Sequence, residues 1–175
     1  GAEVRGYTLE DALERDAAVG AIASDVTRVG LPDRIGSLVS VIADELLANA
    51  LYAAPVDEHG ARHRVHDPRD RARPLVDRDV VTLRWSTDGR YLAIEVRDRW
   101  GTIEPAVIET RIAATKTSTA ESGMGLPLAY ACSNQLVINL APQAVTEVIA
   151  LLDIRYKPTE LARSASFHAF WGHPP

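Results

Sequence analysis

The sequence predicts an α+β fold, a two-layer sandwich in which a sheet carries helices on one face, and three observations predict it. Two amphipathic helical patterns come first, over about 9–29 and 33–53. Alternating apolar and polar runs follow as two hairpins, at 80–86 with 91–96 and at 136–140 with 145–154. Short helical segments are interleaved between the hairpins. A helix or sheet with one apolar face must bury it against another layer, and helices that precede and interrupt hairpins stack on one side of the sheet. At 175 residues the chain fits one domain, able to bury about 70% of its unfolded surface without a disulfide or metal staple.

Each element has a local reason. Thr8 can cap a first helix over 9–29, with Leu13, Ala17, Ile22 and Val26 as its apolar stripe, until Gly30-Leu31-Pro32 breaks it. In the second helix Leu38, Ile42, Leu46 and Ala50 recur at four-residue spacing, which holds one face against a core. Pro55 ends it, because the residue before a proline is pushed out of helical dihedrals. The segment 55–79 is a charged excursion. From Asp57 to Asp79 it holds six Arg (62, 64, 69, 71, 73, 78), six acids and three His, with few apolar residues, and it reads as a solvated loop.

Thr87-Asp88-Gly89-Arg90 turns the first hairpin, and Asp98-Arg99-Trp100-Gly101 ends its second strand. A short helix over 104–114, a hydroxyl-rich stretch over 115–122 and a helix from Gly123-Met124-Gly125 to Cys132 come next. Ala141-Pro142-Gln143-Ala144 turns the second hairpin, and 164–171 forms a final edge strand. The whole is one domain over 1–175. Its parts include a helical N-terminal region (1–35), the charged excursion (55–79) and a C-terminal tail or edge strand (156–175). Internal repeats and low-complexity tracts are absent.

Composition narrows the function classes. Nineteen Lys+Arg face 24 Asp+Glu, for a net charge of −5, which argues against a dedicated nucleic-acid binder. Seventeen of the 19 basic residues are Arg; the two lysines are Lys116 and Lys157. The single Cys132 excludes an internal disulfide and suggests a reducing compartment. No basic-then-apolar leader is visible, so the expected location is cytoplasmic. The uncharged run 123–146 contains Pro, Ser, Asn and Gln and does not read as a membrane span.

Three motifs can carry chemistry. In Asp44-Glu45-Leu46-Leu47-Ala48-Asn49-Ala50, Glu45 and Asn49 are four residues apart and project from one side of a helix. An amide oxygen there can bind a hard cation and a carboxylate can act as a base, although an ordinary helix flank explains the pair equally well. Gly123-Met124-Gly125-Leu126 opens a helix, where free N–H groups and the helix dipole favour a phosphate; a flexible turn is the plainer reading. Asp98 ends a strand, where it can accept a hydrogen bond from an amino group or simply sit in a turn.

In this order the three motifs resemble the GHKL ATPase superfamily, which holds gyrase-type topoisomerases, heat-shock chaperone ATPases, histidine kinases and anti-sigma-factor serine kinases. The resemblance covers about 36–154 and is nearest the anti-sigma serine/threonine kinase branch. It implies a mixed, mostly antiparallel sheet of the histidine-kinase-like ATPase type. It implies ATP and magnesium as ligands, with Asn49 coordinating the ion and Glu45 as the general base. It further implies Asp98 reading the adenine amino group, Gly123, Met124, Gly125 and Leu126 at the phosphates, and Thr146 supporting the base. The function implied is transfer of the terminal phosphate of ATP to a hydroxyl on a partner protein, a sigma factor or an anti-sigma antagonist, and a homodimer is consistent with it. A degenerate module kept for protein contact and a histidine-kinase catalytic domain are the alternatives.

The chain departs from the superfamily in one place. After Asp98 the usual pattern is Asp-x-Gly-x-Gly, whereas Trp100 and Thr102 stand at its third and fifth positions and only Gly101 remains. A Trp there either caps a purine by stacking or fills the pocket. Lys116, in the segment expected to form the lid, can reach a terminal phosphate, although a surface lysine is the plainer reading. His59, His63, His66 and Asp67 have spacings that zinc would accept, but they sit among charged loop residues.

Overall fold

The computed structural model describes residues 2–114, 125–155 and 165–172. Among them six strands form one sheet. These are β1 (Val4–Leu9), β2 (Val81–Thr87), β3 (Tyr91–Asp98), β4 (Gln135–Ala141), β5 (Val145–Asp153) and β6 (Ser166–Trp171). Their order is β1-β2-β3-β5-β4-β6, antiparallel throughout except for the parallel pair β4–β6. The helices are α1 (Arg15–Arg28), α2 (Asp33–Ala48), α3 (Pro105–Ala114) and α4 (Gly125–Cys132). Burial alternates along β2, β3, β4 and β5, so one sheet face meets the helices and the other faces outward. The fold is α+β, as expected from the sequence.

The N-terminus differs from the expectation. Residues 4–9 are an edge strand paired with β2, and Thr8 lies opposite Thr82 within it and caps no helix. The alternation here is only six residues long and weakly apolar, so it hides beside the stronger helical periodicity. Asp11 does the capping instead: its carboxylate accepts the Leu13 N–H at 2.8 Å before a short helical turn leads into α1. The buried stripe of α1 is Ala18, Ile22 and Val26, whereas Leu13 is 47% exposed and Ala17 is also exposed. The expected helical region 1–35 thus opens, in its described part, with a strand, and only then come the helical turn, α1 and the start of α2.

Helix α2 buries Ile35, Val39, Ile42, Ala43, Leu46 and Leu47 against the sheet. It continues through a wider turn of π type, Asn49–Ala53, closed by the Ala54 N–H donating to the Asn49 carbonyl at 2.8 Å. Together Asp33–Ala53 are long and apolar enough to cross a bilayer by length and composition alone; here their apolar side lines the core. A π turn inside a helix widens the backbone locally and often marks a functional position. This one begins at Asn49.

The charged excursion is ordered over the surface by its own ion pairs. Arg64 and Asp79 form a two-pronged pair at 2.8 Å, and Arg73 pairs with Asp67 at 3.0 Å while donating to the Leu51 carbonyl. Leu75 is buried, and its N–H donates to the Glu10 carbonyl. Most of its residues are exposed, as expected from composition, yet the segment is fastened to the end of α2 rather than extending into solvent.

Candidate functional site

Asp98 takes the place of a core residue. On β3 the inward series Leu92, Ile94, Val96 continues to Asp98, which is 3% exposed. Directly opposite on β5 lies Thr146, fully buried. One Asp98 oxygen accepts the Trp100 N–H at 2.8 Å and, at 3.4 Å, the Gly101 N–H. Burial raises its carboxyl to about 6, against the opposing pull of those N–H groups and of neighbouring Thr146. The Thr146 hydroxyl nevertheless makes no hydrogen bond of proper geometry among the described residues. The Thr146 hydroxyl and the Asp98 carboxyl thus face each other at this end of the sheet, close enough for one to act on the other without a well-formed bond between them.

The turn after Asp98 is packed from both sides. Trp100 is 8% exposed, with the Arg78 guanidinium 4.6 Å and that of Arg64 5.9 Å from its ring centre, and His63 edge-on at 6.4 Å. Arg78 also donates to the carbonyls of Arg99, Trp100 and Gln143, clasping this turn to the β4–β5 turn. Gly101 has φ +62°, and a Cβ there would lie 2.3 Å from the Ala141 carbonyl oxygen. The space beside Gly101 is thus filled by the chain's own backbone. Thr102 donates to the Ala54 carbonyl at 2.6 Å, joining this turn to the end of the helix that carries Asn49.

Glu45 and Asn49 occupy the end of α2, both half-buried. Packing of α4 against α2 brings Gly125 to Glu45: a Cβ at residue 125 would sit 2.8 Å from Glu45 Oε2. Burial raises the Glu45 carboxyl, Asp44 raises it further, and Arg69 and Arg15 oppose the rise. Neither the Glu45 carboxylate nor the Asn49 amide has a hydrogen-bond or ion-pair partner among the described residues. The Asn49–Ala53 turn packs on β3, so the helix pair of residues and the Asp98–Thr146 pair share one end of the molecule.

Among the other expected site residues, Leu126 is buried in the core, and Lys116, Gly123 and Met124 lie outside the described residues. No group of three or more His, Cys, Asp and Glu able to hold a metal occurs among the described residues, and the three excursion histidines are exposed. Asn49 alone is a poor cage for a resident ion. It suits magnesium brought in on phosphates, an ion that keeps several waters and substrate oxygens in its shell. Cys132 is half-buried, and burial together with the Glu45 charge pushes its thiol pKa up, away from nucleophilic thiolate.

Sequence reasoning missed the arginine layer. Arg69 and Arg73 stand over the Tyr52 ring at 5.0 and 5.4 Å, and Arg78 covers Trp100. These contacts join residues far apart in an aperiodic segment, and the only trace in the sequence is the density of Arg itself. Compared with protein-family models and with curated proteins, the chain matches none.

Proposed function

We propose that this chain is an ATP-binding domain of GHKL type, most like the anti-sigma-factor serine/threonine kinases. It binds Mg-ATP at the end of the sheet shared by Asn49 and Asp98. One observation carries the reading: Glu45 and Asn49, polar side chains without a hydrogen-bond or ion-pair partner among the described residues, stand where the end of α2 packs on β3, the strand that closes on buried Asp98 with Thr146 beside it. Asp98 accepts the adenine amino group and Thr146 supplies the hydroxyl beside it. Asn49 holds the ion that ATP carries. Glu45, its carboxyl raised by burial, takes the proton from a hydroxyl of a protein substrate as that oxygen attacks the terminal phosphorus of ATP; the bond from that phosphorus to the bridging oxygen breaks, and ADP leaves with the electron pair. The partner is a protein of transcription control, a sigma factor or its antagonist.

A second reading has an observation of its own. Trp100 is covered by Arg78, Arg64 and His63, which favours a filled pocket and a module kept for protein contact. Calorimetric titration with Mg-ATP separates the two. The kinase reading expects saturable binding that Asn49→Ala weakens about tenfold or more, the scale of losing one ligand to a charged group. Binding absent in the wild type, or unchanged in Asn49→Ala, supports the interaction module instead.

A further inference from the structure

We propose that Arg69, supplied by the charged excursion, binds the terminal phosphate of the nucleoside triphosphate at this site; the inference rests on the nucleotide reading above. The excursion is fastened at several points. Arg62 donates to the Ala53 carbonyl, Arg73 to the Leu51 carbonyl and to Asp67, and Arg64 pairs with Asp79. Those cations are engaged by the chain itself. Arg69 is not: among the described residues it makes no hydrogen bond or ion pair, and its guanidinium stands 5.0 Å from the centre of the Tyr52 ring.

That placement aims it at the site. Tyr52 is buried in the same turn as Asn49, three residues further on. The Arg69 charge is also felt at Glu45, where it opposes the rise in the carboxyl pKa. Beyond the magnesium that ATP carries, Glu45, Asn49, Asp98 and Thr146 offer no positive charge to a polyphosphate, and a guanidinium from the excursion supplies one. A guanidinium stacked on an aromatic ring keeps its N–H fork free, and that fork matches two phosphate oxygens. Arg71 provides an internal comparison. It lies two residues away, equally exposed and without a described partner, yet it neither stacks on Tyr52 nor acts on Glu45.

The test is titration of the wild type, Arg69→Ala and Arg71→Ala with Mg-ATP and Mg-ADP, with thermal unfolding of each. Arg69→Ala is expected to weaken Mg-ATP about tenfold or more and Mg-ADP much less, with an unchanged unfolding midpoint, while Arg71→Ala matches the wild type. Equal losses for ATP and ADP overturn the proposal, as does an Arg71→Ala variant as weak as Arg69→Ala. So does an Arg69→Ala variant that keeps wild-type affinity or loses its fold. A wild type that binds no Mg-ATP is a separate result; it removes the nucleotide reading and this inference with it.

Discussion

Two glycines at the site do different jobs, and their neighbours say which. Gly101 combines φ +62° with backbone on three sides, so a Cβ would lie 2.3, 2.6 and 2.7 Å from atoms of Ala141, Ala144 and Gln143. Gly101→Ala is expected to cost about 3 kcal/mol or more in urea unfolding, because backbone strain and overlap with backbone cannot relax. At Gly125 the obstructing atom is the far end of the Glu45 side chain. Gly125→Ala should therefore retain wild-type stability within about 1 kcal/mol while displacing Glu45, so the unfolding midpoint holds and the phosphotransfer proposed for this site falls. Asp98 gives the pH prediction. Its carboxyl is raised from 3.8 to about 6 in the folded protein, so between these values the folded state keeps a proton that the unfolded chain has released. Stability from this group is complete below about pH 4 and is lost as pH rises through about 6. Unfolding of Asp98→Asn at several pH values should show that dependence reduced by about 3 kcal/mol.

At the scale of elements, the unusual piece is the charged excursion, which acts as a fitted cover rather than a tether. Arg78 is its clasp, joining the excursion to Trp100 and to the β4–β5 turn. Arg78→Ala should release that contact: limited trypsin digestion within 55–79 becomes faster, while global stability falls by only about 1–2 kcal/mol. Strong periodicity made α2 and both hairpins legible in the sequence, alternation with aromatic residues the edge strand β6, and the breaks at Asp98-Arg99-Trp100-Gly101 and Gly123-Met124-Gly125 the short helices α3 and α4. β1 was not, since a six-residue edge strand can satisfy its single pairing with little apolar content, and its final Leu9 also suits a helix start. The same contrast holds within the site. Helical spacing put Glu45 and Asn49 on one side of α2, and the apolar alternation put Asp98 at a strand end; their roles at a nucleotide come from the resemblance. The arginines over Tyr52 and Trp100 were not, because cation–π contacts across a loop leave no period behind.

The molecule as a whole divides its labour along the sheet. At one end lie Asp98, Thr146, Glu45 and Asn49 under the arginine cover. At the other, α1 is tied to β1 and β2 through Asp25, which pairs with Arg5 at 2.7 Å and accepts the Trp85 indole N–H at 3.0 Å. A mostly apolar cleft of about 220 Å³ lies there, lined in part by Val26, Val29, Leu31 and Leu92. Under the proposed function Mg-ATP binds at the first end, and the second is structural. Mapping backbone amide shifts on addition of Mg-ATP tests this most directly, since it reports where a ligand sits as well as whether it binds. Saturable shifts centred on Asn49, Asp98, Gly125 and Thr146 are the predicted result. No shifts, or shifts centred on Arg5, Asp25 and Val29, would contradict it.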